Sequence, residues 1–498
     1  MAHDEPLHKS LIRDTTAYFA YLLLVTTLGP FQFGFHLAEL NAPQDVVTCK
    51  KRTLQPSALA TSLPHCIPMN TPQFSVVTSI FTLGGLIGAL SAGPSCNKYG
   101  RLLTMRATTI SFILGSAIET FAIDIPMLCF GRLISGLGCG AAIVVVPIYI
   151  AETAPPKEKG LFGAFTQISI CLGILVTQLL GYFLSKGNLW RIILAVAGVI
   201  GLLQLVGLTL VPESPKWLAE HRSPQHARHI LQKIRGHKAD VDAEVKAWNI
   251  DATQDDISEE EALLTAPPGS HPAPNPKAAT QSMSIWDAFI HPEYRPAIIA
   301  VVAVMSTQQL TGINSIVMYS VSLLTSLLPT TASLLIVAVS ALNVVVTAIC
   351  APLSDKIGRK TCILLSIAGM GICSVLLALG LLFGIKILAA VATLVFVASF
   401  AFGLGPVPFI LANELVGPEA VGATQSAGLA ANWIATLLVS QFFPIVDKAL
   451  GGQGKVYFIF AGFAALLGSF IAYWVPETKG KSGMEEVWGK RVARERIE

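Results

Sequence analysis

Seven side-chain amides stand inside otherwise apolar stretches of this chain. Gln167 and Gln178 fall on one face of a single predicted helix with Ile170 and Ile174 between them, Gln308, Gln309 and Asn314 crowd a second, and Asn343 and Asn432 mark two more. An amide offers two donors and an acceptor without carrying charge. A group of them can therefore replace water around a small neutral ligand that presents hydroxyls on every side. Taken singly, each amide is equally compatible with holding two helices together. A second pattern is ionisable. In FQFGFHLAELNAPQ, Gln32, His36 and Glu39 follow at i, i+4 and i+7, one face of a helix. Ionisable groups inside apolar spans are costly and rare. Histidine is the side chain that changes charge near neutral pH, so the His36–Glu39 pair is expected to tune an outer gate to external or lumenal pH. Glu39 itself is expected in the last helical turn, close to external water.

The elements that hold these residues are set by composition. Of 498 residues, 53% are hydrophobic and only 13% charged, against about 25% charged in soluble domains. Apolar runs of about 20 residues recur, each long enough to cross roughly 30 Å of hydrocarbon. Twelve spans are predicted, at approximately 16–39, 74–95, 103–123, 127–150, 162–184, 190–211, 296–325, 330–353, 361–382, 387–412, 422–446 and 456–475. The first follows Lys9 and Arg13 but is long and lacks a small-residue cleavage site, so it reads as a span and not a secretory signal. The fold class is thus an all-α polytopic membrane protein. It divides into a six-helix half at 1–212, a cytoplasmic linker with short helices at 213–295, a second six-helix half at 296–476 and a tail at 477–498. Within the linker, HARHILQKIRG has helical periodicity, whereas TAPPGSHPAPNPKAATQS is rich in Pro, Ser and Ala.

The halves repeat. GPSCNKYGRLL follows the second span and APLSDKIGRKT the eighth; PESPK ends the sixth and PETKG the twelfth. Two marker pairs in the same order argue for duplicated six-helix units, an arrangement found in many secondary transporters. Lys98, Arg101, Arg106, Lys157, Lys159, Lys356, Arg359 and Lys360 fall on one side, which the positive-inside rule makes cytosolic, with both termini. Lys50, Lys51 and Arg52 run against it in the first external loop. If that loop faces an oxidising compartment, Cys49 and Cys66 can pair. A net charge of +3 with the basic residues in loops implies no nucleic-acid partner. No phosphate-binding GKS or GKT loop, metal-spaced His/Cys cluster or nucleophile elbow occurs, so neither an enzyme nor an ATP-driven pump is indicated, and no cofactor or metal is called for.

Across nearly its whole length the chain resembles the sugar-porter family of the major facilitator superfamily, most closely its facilitative hexose (glucose-type) carriers. The resemblance rests on FQFGF and NAPQ, GR-x-x-x-G-x-G-x-G at Arg132–Gly140, PIYIAE at Pro147–Glu152, PESPK, QQLTGIN at Gln308–Asn314, DKIGRK at Asp355–Lys360, G-x-GPVP at Gly403–Pro408, NW at Asn432–Trp433, and PETKG. It implies a major facilitator fold and movement of a hexose such as glucose or fructose by alternating access, as a facilitative uniporter functional as a monomer. The implied sugar-binding residues are Gln32, Phe33, Gln167, Ile170, Ile174, Gln308, Gln309, Ile313, Asn314, Asn343, Phe400, Gly405, Phe409, Asn432 and Trp433. The implied gating ion pairs involve Arg101, Arg132, Glu152, Lys159, Glu213, Asp355, Arg359, Glu414 and Glu477.

Gln308 and Asn314 are six residues apart, about 600° of rotation, so a straight helix cannot aim both at one ligand. Thr311–Gly312 is where that helix is expected to break, and Gly403, Gly405, Pro406 and Pro408 suggest a second flexible point. Several positions depart from the family. Ala401 stands for a common Glu, Phe409 for Trp, Met305-Ser306-Thr307 for Gln-Leu-Ser and Met318 for Tyr, which puts glucose selectivity in doubt but not hexoses as a class. Leu102 and Lys159 each replace an Arg, and Val421 removes another, so a looser inward gate is expected in the second half. Two other readings compete. In proton–sugar symport the family places an Asp where this chain has His36, which favours uniport. A non-transporting sugar sensor usually carries a long cytosolic tail, and little follows Gly480. The plasma membrane is favoured over a vacuolar or endolysosomal one.

Overall fold

The structure is a computed structural model that describes residues 16–50, 63–155, 158–236, 239–242, 244–246, 289–325, 328, 331–350, 353–416, 420–481 and 484–489. Among these residues there are helices and no strands. The first six spans are α1 (Ala17–Ala38), α2 (Thr71–Tyr99), α3 (Arg101–Thr120), α4 (Ile125–Thr153), α5 (Lys159–Leu184) and α6 (Trp190–Gly207). Two short helices follow, α7 (Pro215–His221) and α8 (Pro224–Arg235). The later spans are α9 (Arg295–Leu310) with α10 (Ile313–Thr325), α11 (Ala332–Cys350), α12 (Arg359–Leu382), α13 (Lys386–Phe402) with α14 (Val407–Glu414), α15 (Val421–Ala449) and α16 (Val456–Trp474). Eleven of these spans are long and apolar enough to cross a bilayer. The remaining one, α3, has 20 residues, about 30 Å of helix, but carries Arg101, Arg106 and Glu119.

Two spans are broken where the sequence suggests. The backbone turns at Gly312, with φ +95°, a conformation open to glycine and strained for other residues. The seventh span therefore becomes α9 and α10. The tenth is interrupted between Phe402 and Val407, through Gly403, Gly405 and Pro406.

Packing falls into two groups joined along two seams. In the first, α4 packs on α2, α3 and α1, α1 on α5, and α3 on α6; in the second, α9 packs on α15 and α16, α12 on α13 and α16, and α11 on α13. The seams are α2 against α15 and α5 against α11. Lipid tails give helices no hydrophobic reason to associate, so close backbone approach through small residues takes its place. At the α2–α4 crossing, a Cβ added at Gly84, Gly88, Gly136 or Gly140 would lie 1.9–2.2 Å from a carbonyl oxygen of the facing helix. Outward-facing Leu24, Ile349, Phe383 and Leu466 are exposed, as lipid-facing side chains are.

The repeated motifs do the same local job twice. Glu213 accepts hydrogen bonds from the backbone N–H groups of Arg101 (2.9 Å) and Leu102 (3.1 Å), the start of α3. Glu477 accepts from the N–H of Arg359 (2.8 Å), the start of α12. A helix N-terminus has unsatisfied N–H groups and partial positive charge, and a carboxylate answers both. In the described part of the linker, Arg235 donates to the carbonyl of Thr153 (2.6 Å) and Thr16 to that of Ile234 (2.7 Å), which fastens α8 to α4 and to the start of α1. The Pro-rich stretch 265–282 lies outside the described residues.

Candidate functional site

The amides on the broken span converge. Asn432 Nδ2 donates to Gln308 Oε1 (2.6 Å) and to the Met305 carbonyl (3.0 Å). Gln309 Nε2 donates to Gln308 Oε1 (3.2 Å) and Asn432 Oδ1 (3.3 Å), and Asn314 Nδ2 to Gln309 Oε1 (2.6 Å). Gln308 Nε2 donates to the Leu404 and Gly405 carbonyls (2.6 and 3.1 Å), which lie in the break of the tenth span. The result is a closed ring of three neutral amides, Gln308, Gln309 and Asn432, with Asn314 attached through Gln309, on α9, α10 and α15, all buried. The break at Gly312 is what allows Asn314 to turn back onto Gln309.

Aromatic groups and a second polar chain flank the ring. Trp433 packs edge-on against Phe33 at 5.7 Å and Phe81 at 6.5 Å, and its indole nitrogen is buried with no hydrogen-bond partner. Gly85 makes room for it, since an added Cβ would lie 2.2 Å from the indole ring. Across the α5–α11 seam, Gln167 Nε2 meets Cys171 Sγ (3.7 Å), that thiol meets Thr347 (3.6 Å), and Thr347 donates to Asn343 (3.4 Å). Gln167 is half-buried, Asn343 buried. Ile170 presents its carbonyl to Gly34 of α1, while Ile174 and Ile313 are buried apolar neighbours. Phe400 sits against Gly405, whose N–H bonds the Phe400 carbonyl (2.9 Å), and Phe409 is 37% exposed.

The stripe on α1 lies elsewhere. Gln32 is spent on α6, donating to the Ala197 carbonyl (2.8 Å), and is not placed with the amide ring. Glu39, expected near water, is 1% exposed, and His36 is fully buried. The cause is a roof: α1 ends in a turn over Glu39–Pro43 in which Asn41 bonds Ser320 (3.1 Å) and the Val321 N–H (3.2 Å) of α10. Arg132 is also displaced from its expected role. It does not join the other ion pairs of that set but is buried beside Glu39 Oε1, donates to the His36 carbonyl (2.8 Å) and has Glu119 Oε2 at 4.0 Å.

Two of the expected ion pairs are formed. Arg101 holds Glu152 with two bonds, 2.8 and 2.6 Å, and Arg359 holds Glu414 with bonds of 2.9–3.1 Å. Each pair lies within one helical group. Glu213 and Glu477 serve as helix caps instead of partners to an arginine side chain. The side chains of Lys159 and Asp355 lie outside the described residues. At the opposite end the groups are tied to each other. Besides Asn41, Thr78 meets the Tyr319 hydroxyl, which donates to the Ser440 carbonyl (2.6 Å), and Ser79 donates to Gln441 (2.6 Å). The same end carries the Cys49–Cys66 disulfide.

Sequence reasoning missed Glu119, Ser135, Gly85 and Tyr319. Glu119 had a usable signal, a lone carboxylate inside a predicted span. The others are visible only through their neighbours.

Known proteins share this arrangement over nearly its full length. Residues 22–488 match the family described as sugar (and other) transporters. A probable metabolite transport protein of Saccharomyces cerevisiae is 35% identical over 93% of this chain and 94% of its own. The facilitated glucose transporter member 3 of solute carrier family 2 from Bos taurus is 30% identical over 95% and 92%. Among solved structures, the xylose transporter XylE of E. coli in a partially occluded inward-open conformation superposes with a TM-score of 0.73 at 25% identity, covering 94% of this chain and 100% of that one. With the major facilitator fold, the amide ring and both capped repeats in place, this multi-pass membrane protein belongs to the sugar transporter family and is not an enzyme.

Proposed function

We propose that this protein carries a hexose across its membrane by alternating access, with the amide ring and Trp433 as the centre of the sugar site. One observation carries the reading: four buried amides bond to one another beside an unpartnered indole N–H. In the absence of sugar these groups satisfy each other, and a ring of hydroxyls can replace those bonds one for one. Gln167, Asn343, Ile170, Ile174, Ile313, Phe33, Phe400, Gly405 and Phe409 are the proposed surround. Phe409 and Met318 offer less polar and aromatic contact than the glucose-selective pattern, which favours a hexose other than glucose, fructose among them.

The gate reading follows from where the bonds cross. Ties between the two groups at the disulfide end support a conformation closed there, with Arg101–Glu152 and Arg359–Glu414 regulating the other end. The basic loops and both termini are proposed to be cytosolic, and the disulfide loop to face the exterior or a lumen, with the plasma membrane favoured. A single chain holds the whole amide ring, so the monomer is the proposed working unit.

The test is labelled-hexose uptake into proteoliposomes with Gln309→Ala alongside. Loss of one or two hydrogen bonds of about 0.5–1.5 kcal/mol each predicts a KM raised several-fold to a hundredfold. Absence of uptake for every hexose by the unaltered protein would sink the proposal.

A further inference from the structure

A second pair of neutral amides lies outside the ring. On α15, Gln425 precedes Asn432 by seven residues. At 100° per residue that brings the two side chains within about 20° of one helix face, about 10 Å apart along the axis. On α14, Asn413 follows Phe409 by four residues, again on one face. The two helices pack together. Gln425 Nε2 donates to Asn413 Oδ1, and Asn413 Nδ2 donates to the Phe409 carbonyl (3.2 Å). Val421 and Leu429, one turn to either side of Gln425, add half-buried apolar surface to the same wall.

Exposure separates this pair from the ring. Gln308, Gln309, Asn314 and Asn432 are buried, whereas Asn413 is exposed and Gln425 half-buried. Amides facing lipid would lose the hydrogen bonds that water gives them. The face in question is also the one on which Asn432 meets Gln308 of α9, two turns further in. The pair therefore stands in water between the helical groups. It lies far from the ties at the disulfide end, since Ser440 and Gln441 come 15 and 16 residues later on the same helix, about 22–24 Å away. Its bonding capacity is not used up. Among the described residues, no partner reaches Gln425 Oε1 or its second N–H, so an acceptor and a donor remain free side by side. Charge beside the pair is already answered: Glu414, next to Asn413, is held by Arg359 (2.9–3.1 Å) and accepts from Thr478. The buried charged cluster of His36, Glu39, Glu119 and Arg132, with Ser135 donating to Glu119 Oε1 (2.6 Å), belongs to α1, α3 and α4 and leaves this wall neutral.

We infer that Asn413 and Gln425, with Phe409 beside them, form a second hexose station about 10 Å from the amide ring, on the side away from the disulfide. Two neighbouring hydroxyls of one sugar fit it, one accepting from the free N–H and the other donating to Gln425 Oε1. A neutral polyhydroxylated ring that leaves the first station meets this one before it reaches open water. The station also regulates. Closing this end must bring α14 and α15 toward the first helical group, and a sugar lodged on their wall stands in the way. Abundant hexose on this side thus holds the protein open there, and the carrier is slowed by its own delivered cargo. The inference rests on the carrier reading above.

Equilibrium dialysis of labelled hexose against the full-length protein in detergent counts the stations. Two sugars per chain are expected, the second about tenfold weaker or more, because water competes at exposed amides. Asn413→Leu with Gln425→Leu is expected to leave one sugar, with the tighter Kd changed by no more than about twofold, since sites this far apart act independently. Gln309→Ala is expected to weaken the tighter class instead. In vesicles of a single orientation, hexose at the weaker Kd on the side away from the disulfide is expected to about halve counterflow, and the double variant to restore it. One sugar per chain in the unaltered protein, or two in the double variant, overturns the inference and leaves the carrier reading standing; a bond that only ties α14 to α15 gives that result. A protein that neither binds nor exchanges any hexose removes the carrier reading and the inference with it. Should the double variant not fold, the unaltered protein decides: two sugars with slowed counterflow support the station, and one sugar overturns it.

Discussion

Replacing Arg132 by Gln isolates what the buried guanidinium does. Arg132 is 1% exposed and stands between Glu39 and Glu119, both buried at least as fully. At the 4.0 Å separation from Glu119, a unit-charge attraction is worth about 4 kcal/mol at an effective dielectric of 20. Removing one member of a buried ion pair typically costs about 3–5 kcal/mol, because the partner is left uncompensated. The two figures agree, so Arg132→Gln is expected to lose about 3–5 kcal/mol. Glu39→Gln with Arg132→Gln returns the cluster to its starting charge, with a neutral amide at both positions and Glu119 unchanged. The double variant should therefore be more stable than Arg132→Gln alone by about 2 kcal/mol, a strong coupling for residues in contact. Seven free cysteines, six of them buried, allow unfolding to be followed with a thiol-reactive dye in denaturant. Additive losses, with the double variant worse than either single one, would refute the claim that Arg132 compensates the carboxylates.

Three further outcomes are expected. Gly85→Val pushes the Trp433 ring off its place, since even a Cβ would lie 2.2 Å from it; losing one aromatic contact of about 0.5–1.5 kcal/mol should raise the hexose KM roughly two- to tenfold with normal membrane insertion. Arg359→Ala breaks the bidentate hold on Glu414, whose partial exposure limits the effect to about 1 kcal/mol, so the population open at that end should rise about fivefold, read by cysteine accessibility from the side opposite the disulfide. Val421→Arg should move that balance the other way. Cys49→Ser with Cys66→Ser opens a loop whose ends are 17 residues apart and should cost about 3 kcal/mol on the loop-entropy account, checked by denaturation with and without reductant.

The spans and their breaks were legible because period and composition encode them directly. Gly312 and the Gly403–Pro406 stretch stand out as residues that interrupt helices, and the structure interrupts both helices there. The amide ring was legible for a related reason: neutral polar residues in an apolar run have few uses. The direction of a side chain is another matter. Gln32, His36 and Glu39 share a face by spacing, but which neighbour that face meets depends on α3, α4 and α6, and on the turn at Asn41 that closes over it. Glu119 belonged to the same site from a helix about 80 residues further along the sequence, so periodicity within α1 could not reveal it. Glu213 and Glu477 show a subtler limit. Their repeat was plain, yet a carboxylate bonding backbone N–H groups looks, in sequence, like one awaiting an arginine.

The two helical groups differ in where they bury charge. Among the described residues, every buried Asp, Glu, His, Lys or Arg of a span, namely His36, Glu39, Arg101, Glu119, Arg132 and Arg191, belongs to α1–α6, while α9–α16 bury uncharged polar groups such as Gln308, Gln309, Asn314, Asn343 and Asn432. Such a separation has a physical reason. An uncompensated charge beside the proposed sugar site would hold water and bind ions where neutral hydroxyls must exchange hydrogen bonds at little net cost. A charge cluster also needs its partners fixed, because losing one is expensive, and α1, α3 and α4 pack directly on one another. The proposed sugar site needs the reverse, bonds that re-form with a ligand, and its amides lie on the broken seventh span and on α15, against the break of the tenth. The α2–α15 seam then brings the two together, since Phe81 lies against both the Arg132 guanidinium and the Trp433 indole. One aromatic ring thus touches the buried charge on one side and the proposed sugar site on the other.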